Sequence, residues 1–236
     1  SFTESHVIGR WEGFSFELYA QLFRDAEIMQ ILFNTVWLAL AAAGLSTILG
    51  TAGAIGFFYS RRRVAKPLQA MSQIPVINAE IVTAISLALL FSMLFLYRTY
   101  FSLIVGHMVL CTPFVVLSVL PKLKQMDSNT YEAALGLSAS PSQALFRVVI
   151  PQIFSGIVSG FMLSITLSLD DYIVTAFTKP PMFDTISTYV YNAVKNGTNS
   201  STPALRALSA LIFIVMIAVL LIVNLRARKG AKERRA

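Results

Sequence analysis

The chain has 236 residues, of which 56% are hydrophobic and only 13% are charged. Soluble domains carry about 25% charged residues, so this composition, with a mean hydropathy of +0.67, excludes an ordinary soluble protein. A single cysteine, Cys111, excludes an internal disulfide framework or a cysteine-rich metal cluster. The net charge of +7 would suit a nucleic-acid partner, but the basic residues cluster in the connections between apolar segments. This distribution is typical of a membrane protein and argues against nucleic-acid binding.

Five segments are long and apolar enough to cross a membrane as helices, which takes about 20 residues each. They cover residues 31–59, 74–97, 101–120, 151–178 and 204–225. The sequence therefore predicts an all-α membrane protein, with one helical bundle over 31–225 and no room for a separate soluble domain. Residues 1–30, rich in aromatic and acidic side chains, are predicted to form an extracytoplasmic segment, and residues 226–236 a basic cytoplasmic tail.

In the first span, Ala42, Ser46, Gly50 and Ala54 recur at every fourth residue. Such a stripe of small side chains predicts that the backbone of another helix approaches closely. The second span carries a carboxylate, Glu80, which costs about 2.5–3.5 kcal/mol at membrane depth. Two interpretations stay open: Glu80 faces a polar pathway, or a neighbouring group satisfies it.

The third span contains His107 and Cys111, and two such ligands do not make a zinc site, so packing is the favoured role. The fourth span ends in Asp170, Asp171 and Tyr172. Asp170 lies about 28 Å along the helix from the start of this span, near its outer mouth. Neighbouring helical side chains point about 100° apart, so one of the two carboxylates is expected to face a given cavity. The alternative is two acids in interfacial water.

The predicted charges at membrane depth or at its mouth are thus acidic: Glu80, Asp170 and Asp171. Together with the rings of Trp37 and Tyr172, they would attract a cation through charge pairing and cation–π contact. They would repel phosphate or sulfate. From the residues alone, we predict a pathway for a cationic solute.

The loop 121–150, between the third and fourth spans, has signals for two short helices. Asp127 or Ser128 can cap a helix that runs to about residue 137, and Ser140 followed by Pro141 is a second start signal. The loop reads Glu132-Ala133-Ala134, then Ser138 after three residues, then Val148-Val149-Ile150-Pro151 after nine more. This pattern resembles the EAA loop of ABC importer permeases, Glu-Ala-Ala, three residues, Gly, nine residues, Ile-x-Leu-Pro. Ser138 departs from it, because Gly reaches unusual turn dihedrals that Ser does not reach freely.

The resemblance implies a type I ABC importer permease bundle whose loop docks on a cytosolic ATPase, with Glu132, Ala133, Ala134, Ser138 and Pro151 as docking residues. The sequence has no G-x-x-x-x-G-K-[ST] motif, so we expect a subunit that is not itself an enzyme. It would hold no cofactor, and the partner ATPase would bind ATP and Mg²⁺. Permeases of this kind commonly have six spans and an internal N-terminus, so a first span is expected to be missing here.

The charge distribution agrees with that topology, because Lys and Arg are enriched in cytoplasmic connections. They concentrate in three regions, the connector 61–67, the loop 121–150 and the tail: Arg61, Arg62, Arg63, Lys66, Lys122, Lys124, Arg147, Arg226, Arg228, Lys229, Lys232, Arg234 and Arg235. These regions, and hence the C-terminus, are predicted to be cytoplasmic, which puts residue 1 outside.

Residues 80–87, 167–172 and 185–191 are similar to the second permease subunit of bacterial spermidine/putrescine importers. This resemblance implies a cell-membrane heterodimer with a sister permease, two cytosolic ATPase subunits and an extracytoplasmic polyamine-binding protein. It also implies that Glu80, Asp170 and Asp171 contact a polyamine during alternating access. Two alternatives stay open: a permease for another solute such as iron(III), thiamine or an opine-like amine, and a channel or structural membrane protein without a motor.

Overall fold

The structure, a computed structural model, describes residues 25–127 and 129–195 together with Ala210 and Ile217. The regular elements in residues 25–127 and 129–195 are all helical. They are α1 (Ala26–Tyr59), α2 (Arg62–Ser72), α3 (Ile74–Ile77), α4 (Glu80–Met93), α5 (Tyr100–Gln125), α6 (Asn129–Gly136), α7 (Pro141–Ala144), a π-helical turn (Leu145–Val149), α8 (Ile150–Asp170), α9 (Ile173–Thr178) and α10 (Ile186–Lys195).

Three helical stretches are long and apolar enough to cross a membrane: Ala26–Tyr59, Tyr100–Gln125 and Pro141–Asp170. They correspond to the predicted spans 31–59, 101–120 and 151–178. A fourth crossing, matching 74–97, exists if Arg62–Ile77 and Glu80–Met93 count as one broken span. Of the predicted fifth span, 204–225, only Ala210 and Ile217 are described. The count of five spans therefore stays a prediction, and residues 1–24 and the tail 226–236 also lie outside the described residues.

Two of the predicted spans are interrupted and do not form single straight helices. The segment 74–97 breaks at Asn78 and Ala79, whose ψ angles of 150° and 131° are extended, and the helices on either side are bent by 107°. The segment 151–178 breaks at Asp171, where ψ is 124°, and a separate short helix follows. An extended residue interrupts the i→i−4 hydrogen bonds of a helix. Apolar composition gives the length of a span but does not reveal such breaks.

The helices begin at side-chain caps that the sequence supplies locally. Asp25 Oδ1 accepts a hydrogen bond from the backbone N–H of Glu27 at 3.0 Å, at the start of α1. At the start of α5, Thr99 Oγ1 accepts from Ser102 N–H at 3.1 Å, and Ser102 Oγ accepts from Thr99 N–H at 2.9 Å. These caps satisfy N–H groups that the first helical turn leaves without partners.

The chain divides into two compact units, residues 39–178 and residues 1–38 with 179–236. In the unit 39–178, α5 packs along α8, and α9 packs against α4 and α5. Its apolar core joins α1, α5, the π turn and α8, and consists of Ala54, Val115, Val116, Val119, Leu120, Leu123, Val149 and Ile153.

Close backbone approach organises this core, as the stripe of small residues predicted. Ala42, Ser46, Gly50 and Ala54 are all buried. A Cβ atom built on Gly50 would lie 2.6 Å from the Cβ of Val115, which leaves no space for any larger residue. The α8 helix approaches Val115 as well, since a Cβ on Gly160 would lie 3.1 Å from the Val115 Cα.

In the other unit, the first part of α1 packs against the segment that leads into α10. Thr35 Oγ1 accepts a hydrogen bond from the N–H of Ile186 at 2.9 Å. Lys179 forms an ion pair with Asp184. Trp37, predicted to line the pathway with the three acids, belongs to this unit and is 42% exposed. Its place beside the acids stays a prediction.

Candidate functional site

The candidate site lies where two helix breaks meet. Glu80 is the first residue of α4, directly after one break, and Asp171 lies in the other break, between α8 and α9. Because α9 packs against α4, the carboxyl groups of Glu80 and Asp171 come within hydrogen-bonding reach, and Asp170 is close enough to interact with Glu80 electrostatically. The structure thus brings together the three acids that the sequence singled out.

The two adjacent aspartates occupy different surroundings. Asp170 is exposed, whereas Asp171 is only 5% exposed. Asp171 caps α9: its Oδ1 accepts from the N–H of Val174 at 3.2 Å, and its Oδ2 accepts from the N–H and the hydroxyl of Thr175, both at 2.8 Å. One aspartate therefore holds the helix break together, and the other is available to a ligand, as is the exposed Glu80.

His107, on α5, bridges the same break and is completely buried. Its Nδ1 lies 2.8 Å from Ser168 Oγ in the last turn of α8, and its Nε2 lies 3.0 Å from Thr175 Oγ1 in α9. The Nε2 atom is also 3.6 Å from Asp171 Oδ2. Sequence reasoning favoured packing for His107 and missed this polar role. The signal available was a histidine in an apolar helix, but its partners lie 61 and 68 residues away in the chain.

This arrangement favours a positively charged ligand. Carboxylates in contact repel one another when both are ionised. A cation between Glu80 and the aspartates would offset this repulsion and stabilise their charged forms. Tyr172, half-buried in the same break, adds an aromatic ring. Among the described residues, no group of His, Cys, Asp and Glu can hold a metal ion.

The loop between α5 and α8 forms the two short helices that its start signals predicted. Asp127 Oδ1 accepts from the N–H of Asn129 at 2.9 Å at the start of α6, while Ser128 lies outside the described residues. Ser140 Oγ accepts from the N–H of Gln143 at 3.3 Å, and Gln143 Oε1 accepts from Ser140 N–H at 3.1 Å, which caps α7 from both sides. The helix α7 continues through the π turn into α8, so Pro141–Asp170 forms one helical stretch.

Ser138 ends α6 in the left-handed conformation, with φ of 68°. The N–H of Ala139 donates to Ala134 O at 3.1 Å, and the N–H of Ser138 donates to Leu135 O at 3.0 Å. This pair of bonds is the Schellman arrangement, in which glycine usually takes the left-handed position. Ser138 therefore adopts the geometry of the glycine it replaces, at a strain of about 1–2 kcal/mol.

The loop presents an open surface on one side and contacts the core on the other. Glu132 and Ala133 are exposed, and Ala134 is half-buried. Tyr131, one residue earlier, packs against the core, and its ring lies 5.1 Å from the ring of Tyr59 at the end of α1. A partner protein that moves α6 would therefore act on the end of α1 through the contact between Tyr131 and Tyr59.

Residues 44–229 match the family described as binding-protein-dependent transport system inner membrane component. The chain belongs to this family. Its members are membrane-embedded and work with other components of a transport system, as the description states, and the apolar helices agree with that location.

Among curated relatives, this family member is 31% identical over 230 residues to the spermidine/putrescine transport system permease protein PotC of Haemophilus influenzae, covering 98% of this chain and 88% of that protein. It is 31% identical over 219 residues to the putrescine transport system permease protein PotI of Escherichia coli K12, covering 90% of this chain and 77% of that protein.

Solved structures show the same fold. The bacterial ABC transporter that imports alginate has a chain with a TM-score of 0.69 and 19% identity, over 94% of this chain and 85% of that one. The MetNI methionine ABC transporter has a chain with a TM-score of 0.66 and 15% identity, over 87% of this chain and 98% of that one. The predicted all-α bundle of the type I ABC importer permease class is confirmed.

Proposed function

We propose that this chain is the permease subunit of an ATP-driven importer that carries polyamines such as spermidine or putrescine into the bacterial cytoplasm by alternating access. The observation that carries the proposal is the convergence of Glu80, Asp170 and Asp171 at two helix breaks. The names of the two relatives, both polyamine permeases, support the choice of substrate.

Broken helices at membrane depth are suited to binding a charged solute, since irregular backbone in a membrane is tolerated where it lines a cavity. A polyamine carries several ammonium groups along a flexible chain. In this proposal Glu80 and Asp170, the exposed carboxylates, contact successive ammonium groups as the solute passes. Tyr172 adds cation–π contact. Asp171 takes part mainly by holding the break.

The loop 121–150 is the proposed contact with a cytosolic ATPase subunit. The complex would hold two copies of this ATPase, which would bind ATP and Mg²⁺, and in this proposal the present chain is not itself an enzyme. Glu132 offers charge-assisted hydrogen bonds, and Ala133 and Ala134 leave room for a partner surface. Leu137 and Phe146, 85% and 67% exposed, supply apolar contact area. Ser138 and Pro151 shape the turn and the continuation of the loop into the fourth span.

The remaining parts of the proposed assembly are a sister permease subunit and an extracytoplasmic polyamine-binding protein that delivers the solute. The basic connector, the docking loop and the C-terminus face the cytoplasm, and residue 1 faces outward. This orientation puts the docking loop on the side of the ATPase.

Uptake of labelled spermidine in cells without other polyamine importers tests the proposal. Glu80→Gln and Asp170→Asn each remove one charge contact of about 1.5 kcal/mol or more, so the rate of spermidine uptake at low spermidine concentration, per permease in the membrane, should fall about tenfold. Glu27→Gln, at an exposed acid at the start of α1, is the matched control and should leave this uptake rate unchanged.

Competition for uptake distinguishes the candidate solutes. Excess putrescine should inhibit spermidine uptake, whereas thiamine and iron(III) should not. Wild-type uptake rates in both acid variants, or competition by thiamine or iron(III) alone, would contradict the proposal.

A further inference from the structure

His107 is the centre of a hydrogen-bond chain that crosses the break between α8 and α9. The chain runs from Ser168 through His107 and Thr175 to Asp171. All four residues are buried: His107 and Thr175 have no exposed surface, and Ser168 and Asp171 are 4% and 5% exposed. With so little exposed surface, each polar group depends on its protein partners.

The contacts of Thr175 determine the direction of this chain. The carboxylate of Asp171 only accepts hydrogen bonds, and its Oδ2 accepts from both the N–H and the hydroxyl of Thr175. A hydroxyl has one hydrogen to donate, and the other oxygen near it is the backbone oxygen of Asp171, at 3.3 Å. The Thr175 hydroxyl therefore points to Asp171 and accepts from His107, so that Nε2 of His107 carries a hydrogen. In the neutral ring, Nδ1 then accepts from the hydroxyl of Ser168.

The helix α9 also rests on α5 on both sides of His107. A Cβ built on Gly106 would lie 2.9 Å from Val174 Cγ1, so α9 packs where α5 has no side chain. Near the start of α5, Ser102 Oγ lies 2.9 Å from the backbone oxygen of Thr178, at the end of α9. The position of α9 thus has supports besides His107, and the contact of His107 acts on the side chains within the break.

We propose that His107 is a positioning residue of the candidate site: its Nε2–H holds the Thr175 hydroxyl on Asp171 and so keeps Asp171 in the cap of α9 and out of the solute pathway. Glu80 and Asp170 are then the two carboxylates left to the solute. This inference rests on the proposed function for the role of Asp170, whereas the position of Asp171 can be measured without any solute.

Asp171 requires such a constraint because another carboxylate is near it. Its carboxyl group is within hydrogen-bonding reach of Glu80, and two ionised carboxylates in contact repel one another. An Asp171 released from the cap would lie beside Glu80 and would offer the solute a third carboxylate. It could then replace Asp170 as a ligand. Through Thr175, His107 therefore determines how many acidic groups the solute meets.

Carbodiimide labelling of carboxylates, read residue by residue by mass spectrometry, measures the position of Asp171 in the assembled importer without solute. In the wild type, Asp171 should react at least about tenfold more slowly than the exposed Asp170. His107→Asn, whose amide reaches only the place of Nδ1, should bring the two rates within about threefold of each other. His107→Gln, whose amide reaches the place of Nε2, should restore the protection.

Cys111→Ala is the matched control for this labelling. Cys111 lies one turn along α5 from His107 and contacts the backbone oxygen of Ser164 in α8, outside the chain of hydrogen bonds. This variant should leave Asp171 protected. Protection of Asp171 in His107→Asn, or its exposure in the wild type, in His107→Gln or in the control, overturns the proposal.

Uptake of spermidine at low concentration, per permease in the membrane, separates positioning from general damage. Asp170→Asn should lower this rate about tenfold in the wild-type background. In the His107→Asn background, where Asp171 is released, the same change should lower it only about threefold or less, because residues that serve one site are not additive. His107→Gln should restore the full loss.

A tenfold loss in the His107→Asn background as well would mean general damage and would overturn the proposal. If Asp170→Asn has no effect in the wild type, the proposed ligand role of Asp170 fails instead. The labelling of Asp171 then decides the role of His107 by itself.

Discussion

Replacing Asp171 by alanine should destabilise the protein more than any other change at the candidate site. The carboxylate caps α9 and accepts three hydrogen bonds, from the N–H of Val174 and from the N–H and hydroxyl of Thr175. Loss of a helix cap costs about 0.5–2 kcal/mol, and loss of a bond to a charged acceptor costs about 1.5–3 kcal/mol. Relief of repulsion from Glu80 offsets part of this. We expect a net loss of about 2–4 kcal/mol.

Two further variants separate capping from ligand contact. Asn caps helices as well as Asp does, so Asp171→Asn should lose only about 1–2 kcal/mol. Asp170→Asn changes an exposed side chain and should alter stability by less than about 0.5 kcal/mol while still weakening uptake. Equilibrium unfolding in mixed detergent micelles measures stability, and spermidine uptake, corrected for protein in the membrane, measures transport.

The reasoning fails if Asp171→Ala unfolds like the wild type and loses only transport, because Asp171 would then act as a ligand and not as a cap. It also fails if Asp170→Asn destabilises the protein as much as Asp171→Ala does. Either result would mean that the burial difference between the two aspartates does not decide their roles.

Three other changes give separate tests. Gly50→Ala would bring a Cβ to 2.6 Å from Val115 and should destabilise the protein by about 1–3 kcal/mol. Gly44→Ala, with nothing within 4 Å of the new Cβ, should stabilise the protein by up to about 1 kcal/mol. Equal effects of the two variants in the same unfolding assay would contradict the close packing at Gly50. Ser138→Gly should relieve about 1 kcal/mol of strain and slow amide exchange in its turn about fivefold, and faster exchange would refute the strain. Glu132→Arg should abolish coupling of ATP hydrolysis to uptake while the chain stays in the membrane; normal uptake would refute docking.

Much of the docking loop was predictable because its signals are local. The cap at Ser140 uses Gln143, three residues away, and Asp127 caps Asn129. The turn at Ser138 was the exception. Its left-handed conformation follows from the two hydrogen bonds that close α6, and these override the preference of serine for other dihedrals.

The candidate site was predictable in its residue types but not in its geometry. A carboxylate in an apolar segment signals function because its burial is unfavourable, so Glu80, Asp170 and Asp171 stood out in the sequence. Nothing local distinguishes Asp170 from Asp171. Their different exposure results from the helix break at Asp171. His107 packs into this break and bonds to Ser168, which is 61 residues away in the chain.

The sequence by itself determined that this protein is a membrane bundle with two short helices before its fourth span and acidic residues in apolar segments. Those properties follow from composition, short-range capping and the cost of placing charge in lipid. Only the tertiary structure decided where two of the spans break, that the breaks meet, and which carboxylate caps a helix. These depend on packing between helices far apart in the chain, such as α4 against α9.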